Sequence, residues 1–186
     1  MKKRVLIYFF LLIFSAQGCM SLTIWSEMSR PDYRDRGRGF SALVPAGWMR
    51  YNLYDYFVIT RDGLALETIE VKRQPLGKKL EETKKEFTAE MTPQDIAELE
   101  IDNLQTDKKI GQFKVLSNKP ATIDGHAGFV IDYEYRTESG LKMHGIHYGF
   151  LKDKWVYRIR YTGARQYYFE HCQEDFKKFI ESFKVI

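Results

Sequence analysis

Hydrophobic and polar side chains alternate along three consecutive segments in the second half of the chain, between Gly128 and Tyr161. A period of two is typical of strands that bury one face, and turn-forming residues at 138–140 and 152–154 separate the segments. The apolar positions are, in order, Phe129, Ile131, Tyr133 and Tyr135; Ile146, Tyr148 and Phe150; and Trp155, Tyr157, Ile159 and Tyr161. We therefore predict an antiparallel meander in which all of these side chains share one apolar face.

The last segment of the chain has apolar residues at the spacing of a helix. They are Phe169, Cys172, Phe176, Phe179, Ile180 and Phe183. Residues three and four apart lie on the same side of a helix, so we predict a helix that covers the aromatic face of the meander. Cys172 falls within the apolar stripe, where burial disfavours the thiolate, and we interpret it as a structural residue rather than a nucleophile.

Shorter patterns predict the elements that precede the meander. Runs of apolar, β-branched and aromatic residues between turn residues predict strands, and broader periodicity predicts helices. The predicted strands are 40–44, 54–60, 64–72, 113–117 and 121–123, and the predicted helices are 79–90 and 93–105. Thr92 is a good N-cap for the second helix, and Pro93 suits its first position. We therefore predict an α+β fold, an antiparallel β-sheet flanked by helices.

The first 19 residues have the pattern of a bacterial lipoprotein export signal. Three basic residues at 2–4 precede an apolar run at 5–14. This run is about half as long as the roughly twenty residues that a membrane-spanning helix needs, so it is typical of a signal peptide. Small residues precede Cys19, whose thiol can carry a diacylglycerol after the signal is cleaved.

The export signal leads to a prediction for the organisation of the whole chain. We predict a signal peptide at 1–18, a lipidated tether at 19–39 and a single globular domain at 40–186. Met20, rather than Asp, follows the cysteine, which favours the outer membrane, with the domain facing the periplasm. The alternative is an ordinary secretory signal that leaves Cys19 unmodified.

The charge balance argues against nucleic acid as a partner. The full chain has 29 Lys and Arg against 25 Asp and Glu, and the signal peptide contains three of the basic residues and none of the acidic ones. The mature chain is therefore close to neutral, whereas phosphate backbones are bound by concentrated basic surfaces. The one local basic cluster, at 30–38, is predicted to be solvated tether or, alternatively, a contact with anionic lipid head groups.

Three segments of the sequence resemble one known family. They are Phe-Ser-Ala-Leu-Val-Pro-Ala-Gly-Trp at 40–48, Ile-Asp-Gly-His-Ala-Gly-Phe at 123–129 and Phe-Ile-Glu-Ser-Phe-Lys at 179–184. With its order of hairpin, helices, meander and terminal helix, the chain resembles the PsbP-like α/β/α sandwich, which is shared by a eukaryotic Ran-binding factor and many bacterial envelope lipoproteins. The resemblance implies this fold and a non-enzymatic accessory or assembly role.

Two histidines in the meander are candidate metal ligands. His144 and His147 are three residues apart on a predicted strand, so their side chains point to opposite faces and cannot bind one ion together. We expect His144 in the core or at its rim and His147 on the polar face. No metal and no cofactor are predicted.

A pair of carboxylates on the predicted polar face is the catalytic candidate. Asp132 and Glu134 are two residues apart on a strand, about 6–7 Å, which overlaps the spacing of carboxylates in sugar hydrolysis. Arg158 and Arg160 are predicted on the same face, where cross-strand ion pairing on a solvated surface explains all four residues. A cell-wall or glycan hydrolase is therefore the alternative function. The sequence has no nucleophile elbow, Walker loop or dinucleotide fingerprint, and we do not expect an enzyme.

Aromatic residues are crowded around the first predicted strands, and amphipathic rings are favoured where a partner buries them. The predicted binding residues are Trp48, Tyr51, Tyr54 and Tyr56, together with Arg158 and Arg160. Ordinary core packing is the alternative explanation for the rings. We therefore predict a membrane-anchored envelope lipoprotein that acts as a non-enzymatic binding or assembly-accessory module for an envelope protein, or has a purely structural role.

Overall fold

The computed structural model describes residues 23–28 and 30–186. The predicted signal peptide and the predicted lipid attachment at Cys19 lie outside the described residues. The strands are β1 (Trp25–Glu27), β2 (Asp32–Asp35), β3 (Phe40–Leu43), β4 (Met49–Tyr51), β5 (Phe57–Thr60), β6 (Glu67–Pro75), β7 (Ile110–Ile123), β8 (His126–Thr137), β9 (Lys142–Lys152), β10 (Trp155–Ala164) and β11 (Lys184–Val185). The helices are α1 (Pro93–Thr106) and α2 (Tyr168–Ser182).

Two antiparallel sheets form the framework of the described chain. The large sheet has the strand order β1-β4-β5-β6-β10-β9-β8-β7, and the small sheet has the order β11-β3-β2. Helix α1 covers one face of the large sheet, the α1 face, while α2 and the small sheet cover the other, the α2 face. The predicted antiparallel sheet flanked by helices is confirmed, although the protein is richer in strand than an α/β/α sandwich. Neither helix has the length and apolar character required to cross a membrane, which holds for the described residues.

Helix α1 begins with the N-cap that the sequence predicts. The Thr92 hydroxyl accepts a hydrogen bond from the backbone N–H of Asp95, and the Asp95 carboxylate accepts one from the backbone N–H of Thr92. This reciprocal capping box satisfies two donors that would otherwise be unpaired at the helix start. The buried residues of the helix are Ile96, Ala97, Leu99, Glu100 and Leu104. All but one are apolar, so the helix packs firmly on the α1 face and positions a single carboxylate there.

Helix α2 confirms the predicted terminal helix and its packing against the meander. Its buried residues are Phe169, Cys172, Phe176 and Phe179, and they pack with aromatic and branched side chains of β9 and β10. Cys172 is fully buried, and burial raises the pKa of its thiol to about 11. Since the reactive form of cysteine is the thiolate, this burial disfavours reactivity, and Cys172 lies within the apolar stripe as predicted.

The meander has two apolar faces, not the single one predicted. Strand β8 pairs with β9 so that Phe129 lies opposite Gly149 and Ile131 lies opposite His147. The apolar side chains of β8 therefore lie on the α1 face, whereas those of β9 and β10 lie on the α2 face. The prediction is wrong for β8 because a change of one residue in register, set at the turn 138–141, moves every side chain of a strand to the other face.

Glycines on β9 make room for the aromatic rings of β8. A β-carbon at Gly145 would lie 2.3 Å from the ring of Tyr133, and one at Gly149 would lie 2.3 Å from the ring of Phe129. The rings therefore lie over the backbone of the neighbouring strand, where only glycine leaves enough space. This close approach lets two large rings pack flat beneath α1.

Segment 79–90 is not a helix, contrary to the prediction. Lys79 and Glu86 form an isolated antiparallel bridge, and Lys84 has a φ of 61°, which a helix does not allow. Leu80 and Phe87 are buried under α1 and hold the segment in place. Its Lys and Glu residues have high helix propensity, but two buried apolar residues do not form the face that stabilises a helix in a protein.

Strands β1 and β2 lie within the segment 19–39, for which we predict a tether. Strand β1 pairs with β4, and β2 pairs with β3. Each lies at the edge of its sheet, where polar side chains are common and a buried, alternating pattern is weak. The folded domain therefore begins before Phe40.

Candidate functional site

A row of four aromatic rings lies along one edge of the large sheet. Ring centroids are 4.8 Å apart for Trp25 and Tyr51, 5.0 Å for Tyr51 and Tyr54, and 4.9 Å for Tyr54 and Tyr56. Trp25 and Tyr54 are exposed, and the other two rings are half-buried. At the end of this aromatic ridge, the Lys72 ammonium lies 3.9 Å from the ring centroid of Tyr56. The ridge presents a continuous aromatic surface to solvent.

Strand pairing and one asparagine hold the ridge in place. Trp25 is directly opposite Tyr51 in the pair of β1 and β4. Asn52, at the end of β4, donates from its side chain to the Thr23 carbonyl and from its backbone to the Ile24 carbonyl, both at 2.9 Å. Because the rings are already ordered, little of their conformational entropy is lost when a partner binds.

A groove of about 530 Å³ runs beside the ridge on the α1 face. Tyr54 and Tyr56 form one wall, and residues that follow α1 and the turn of β8 and β9 form the other. The floor residues are Thr68, Glu70, Arg160 and Thr162. The volume falls within the range of about 300–1,000 Å³ that is usual for ligand sites, and an aromatic wall beside a few polar groups is typical of such sites.

The floor of the groove is polar and bonded across strands. Thr68 and Thr162 are cross-strand partners, and their hydroxyl oxygens are 2.9 Å apart. Burial opposes the charged form of Arg160, but the Glu70 carboxylate, 4.0 Å away, together with Tyr133, Glu100 and Tyr135, outweighs this effect, so the pKa of Arg160 is raised. The side chains of Arg160 and Glu70 remain 21% and 18% exposed. A bound group can therefore reach a fixed positive and a fixed negative charge.

Behind this floor, α1 buries a carboxylate among basic side chains. Glu100 is 1% exposed, with one oxygen 3.4 Å from Nη1 of Arg158 and the other 3.9 Å from Nδ1 of His147. His147 is fully buried, and neither of its ring nitrogens has a hydrogen-bond partner among residues 30–186. The prediction of His147 on a solvated face is wrong because α1 covers the face that the alternation marks as polar.

The buried position of His147 predicts a pH dependence of stability. Burial lowers its pKa well below the usual 6.5, and Arg160, Arg158 and Lys72 lower it further. Below about pH 6.5 the unfolded chain binds a proton at this residue and the folded chain does not, so the free energy of unfolding falls as the pH decreases. Above that pH neither state binds the proton, and the residue causes no loss of stability. The contribution is at most about 1.4 kcal/mol per pH unit. We expect His147→Leu to remove it, as measured by urea unfolding at pH 7.5 and 5.5.

The control for this experiment is His171→Leu, which changes an exposed histidine on α2. This variant should lose stability between the two pH values as the natural chain does. An equal pH dependence in both variants would show that His147 is protonated in the folded state.

Trp48 does not belong to the binding surface. Its ring is fully buried between the large sheet and α2, and its indole N–H donates to the Asp175 carboxylate at 3.0 Å. A side chain without exposed surface cannot contact a partner, so the predicted binding role of Trp48 is wrong. Aromatic residues are common both in cores and at surfaces, and the sequence does not separate the two.

The other predicted binding residues lie around two neighbouring cavities. Tyr54, Tyr56 and Arg160 line the groove, and Tyr51 extends the ridge next to Tyr54. Arg158 lies on the far side of Tyr56, in a second cavity, and donates to the Gln74 side chain at 2.7 Å. Tyr56 thus borders both the groove and a more basic cavity.

Asp132 and Glu134 lie on the α2 face, opposite the two arginines predicted to accompany them. Nε2 of His144 is 2.6 Å from Asp132, and the Arg165 guanidinium is 3.0 Å from Glu134. His144 stacks on Phe169 with centroids 3.7 Å apart, which places it at the rim of the core as predicted. The predicted polar face is wrong for the reason already given for β8. No cluster of three or more metal-binding side chains is found within residues 23–28 and 30–186.

Trp25, Glu70 and Lys72 are among the residues of the site that are missing from the sequence-based candidates. Trp25 lies in the segment predicted to be a tether, so no strand pattern pointed to it. Glu70 and Lys72 alternate with apolar residues on β6, and this alternation was a usable signal for charges that share one face of a central strand. That they lie opposite the arginines of β10 could be known only from the register of β6 and β10.

The sequence matches a known family over most of its length. The family described as PsbP-like protein matches residues 28–185. The chain belongs to the PsbP-like family. The matched residues include both helices, the groove and all of the ridge except Trp25. The resemblance inferred from three short segments is confirmed for this PsbP-like protein.

Solved structures of low sequence identity have the same PsbP-like fold. Cyanobacterial PsbP (CyanoP) from Synechocystis sp. PCC 6803 is 15% identical, with a TM-score of 0.60 and coverage of 92% of this chain and 98% of that one. LpqN, involved in cell envelope biogenesis of Mycobacterium tuberculosis, is 11% identical, with a TM-score of 0.57 and coverage of 87% and 88%. The Ran-binding protein Mog1p of Saccharomyces cerevisiae is 10% identical, with a TM-score of 0.54 and coverage of 87% and 94%. No curated protein sequence gives a significant match.

Proposed function

We propose that this PsbP-like protein is a non-enzymatic binding module of the bacterial cell envelope, which holds a protein partner on the aromatic ridge and in the groove. The observation that carries the proposal is the continuous row of four rings at the rim of a groove of about 530 Å³. Tyr, Trp and Arg are the residues that contribute most to protein interfaces, and all three types meet here. The charge pair on the floor supplies polar groups that fix the orientation of a partner.

Proteins of the same fold support a binding role. Mog1p is a Ran-binding protein, and LpqN is involved in cell envelope biogenesis. The catalytic alternative loses the two arginines that were grouped with Asp132 and Glu134, because the sheet separates these carboxylates from Arg158 and Arg160. Each of the two carboxylates instead has its own partner on the α2 face.

A short connection to a lipid anchor would orient the site. We propose that Cys19 is acylated and holds the domain at the outer membrane, facing the periplasm. Thr23 is four residue steps from Cys19, and an extended chain spans at most about 3.6 Å per residue, hence about 14 Å. Strand β1 and the Trp25 end of the ridge would then lie close to the membrane, within reach of a partner that is itself bound there.

Site-specific crosslinking in cells tests the binding surface. A photoreactive phenylalanine analogue at Tyr54, which is 44% exposed, should give one discrete protein adduct. The matched control is the same analogue at Tyr167, which is 56% exposed at the start of α2 and should not give this adduct. Adding Tyr56→Ala should reduce the Tyr54 adduct about tenfold, the effect of losing about 1.4 kcal/mol at an interface. Identical adducts from both positions would contradict the proposed surface.

The Cys19→Ser variant tests the anchor in the same cells. Without an acyl chain the protein should leave the membrane fraction, and mass spectrometry of the natural chain should find a diacylglycerol on its N-terminal cysteine. If the natural chain is soluble after osmotic shock and unmodified, the anchor is absent. The crosslinking result would still decide the binding surface separately.

A further inference from the structure

The second cavity beside Tyr56 has a strong excess of positive charge. It has a volume of about 240 Å³ and lies between β6, the start of β10 and the loops that follow β2 and β4. Its basic residues are Arg38, Lys72, Arg73, Lys78, Lys79 and Arg158, and its acidic residues are Asp55 and Glu81. We call it the basic pocket. Cavities lined by one sign of charge concentrate their field and attract ligands of the opposite sign.

The three arginines of the basic pocket have protein partners that hold them in place. Arg38 is 2.9 Å from the Asp35 carboxylate and donates to the Asp55 carbonyl at 2.6 Å. Arg73 donates to the Gly37 carbonyl at 3.0 Å and lies 4.2 Å from the ring centroid of Trp155. Arg158 is bonded to Gln74 and paired with Glu100. These side chains form a rigid basic wall whose charge is only partly neutralised.

Lys72 is the least exposed of the three lysines that line the basic pocket. Its ammonium has no hydrogen bond and no carboxylate within 4.0 Å among the described residues, and its close contact is the face of the Tyr56 ring. Lys72 lies directly opposite Arg158 in the register of β6 and β10. Burial lowers its pKa, and the neighbouring Arg160 and Arg158 lower it further, with Glu70 and Glu81 partly opposing them. A bound anion would relieve both the lost hydration and the repulsion.

We propose that the basic pocket binds a phosphate group, with the Lys72 ammonium as its central donor. Lys78 and Lys79 lie at the rim and add charge, while the rings of Tyr56 and Trp155 offer a surface for the part of the ligand that carries the phosphate. A phosphate has up to two negative charges and three free acceptor oxygens, which suits several donors better than a carboxylate with one charge. The volume of the pocket is below the range of about 300–1,000 Å³ that is usual for ligand sites, so the pocket fits a small head group.

Tyr56 borders both cavities, but the basic residues of this site line the basic pocket and not the groove, so phosphate binding can be tested without the proposed protein partner. Titration calorimetry of the full-length chain with inorganic phosphate, in a chloride buffer of low ionic strength, tests it directly. We expect saturable binding of one phosphate per chain. Lys72→Met, which keeps the apolar stem and removes the charge, should raise the Kd at least about tenfold, the effect of about 1.4 kcal/mol. The matched control Lys119→Met, at an exposed position on β7, should stay within about twofold.

A second variant keeps the experiment decisive if Lys72→Met does not fold, as judged by circular dichroism. The double variant Lys78→Met with Lys79→Met changes two residues at the rim of the pocket and should also weaken phosphate binding about tenfold or more. Absence of saturable phosphate binding, or equal affinity in the Lys119→Met control and the pocket variants, would overturn the proposal.

A third titration separates the two sources of a phosphate group. Short-chain phosphatidic acid carries a phosphate monoester as its lipid head group, and glycerol phosphate carries the same group without acyl chains. Binding of the lipid about tenfold more tightly than glycerol phosphate, with loss in Lys72→Met, would identify a lipid head group. Equal binding of the two would identify a soluble phosphate compound.

Discussion

Replacing Trp48 by alanine is expected to lower the free energy of unfolding by about 3–5 kcal/mol. The ring is fully buried in the core between the large sheet and α2, so its removal leaves a cavity that the surrounding rings cannot fill. The change also removes the hydrogen bond from the indole N–H to the Asp175 carboxylate. Since domains are stable by about 5–15 kcal/mol, this loss is a large part of the total.

Urea unfolding followed by circular dichroism measures this effect, with Tyr54→Ala as the control. Tyr54 is 44% exposed, and its truncation should change the free energy of unfolding by no more than about 0.5 kcal/mol. The pair of variants therefore separates a core ring from a surface ring only a few residues away. Equal losses from the two changes would contradict the assignment of Trp48 to the core and of Tyr54 to the binding surface.

Replacing Glu100 by alanine is expected to destabilise the protein by about 3–5 kcal/mol. Glu100 is 1% exposed, and its carboxylate lies between the Arg158 guanidinium and the His147 ring. Its loss leaves positive charge under α1 without the buried carboxylate that offsets it. The measurement is again urea unfolding at neutral pH.

Glu98→Ala is the matched control, because Glu98 is on the same helix and exposed to solvent. Its effect should stay within about 0.5 kcal/mol. A double variant, Glu100→Leu with Arg158→Leu, should recover most of the stability lost in Glu100→Ala, since a buried ion pair can be replaced by apolar residues at little net cost. A double variant less stable than Glu100→Ala would show that the ion pair itself stabilises this face. The loss in Glu100→Ala would then not be explained by the unpaired charge of Arg158.

Much of the fold was accessible from short-range patterns. The Phe-rich stripe predicts α2, the Thr92 cap predicts α1, and the alternation of apolar residues predicts β8 to β10. Each of these signals is local, because caps and periodicity depend on residues within a few positions of one another. The charged segment 79–90 shows the limit of propensity, since its Lys and Glu residues favour a helix that has no broad apolar face to bury.

The candidate site was only partly accessible for a different reason. Crowded aromatics identified Tyr51, Tyr54 and Tyr56 as candidates, but the same signal included Trp48, which lies in the core. Exposure depends on which distant segments cover a residue, and that information is not present in the neighbouring sequence. Trp25 completes the ridge only because β1 pairs with β4, a contact between two three-residue strands whose pattern is too short to detect.

The sequence by itself determined the order of the strands of the meander and of the helix that covers it, and it determined membership of the PsbP-like family. It also predicts the export signal. Only the tertiary structure decided which face each strand presents. One residue of register at the turn 138–141 placed the aromatics of β8 under α1 and separated Asp132 from Arg158 and Arg160. Alternation marks two faces without stating which is covered, and the covering comes from elements far away in the chain. That is why a pattern read as solvated became a buried charge cluster, with a basic pocket beside it.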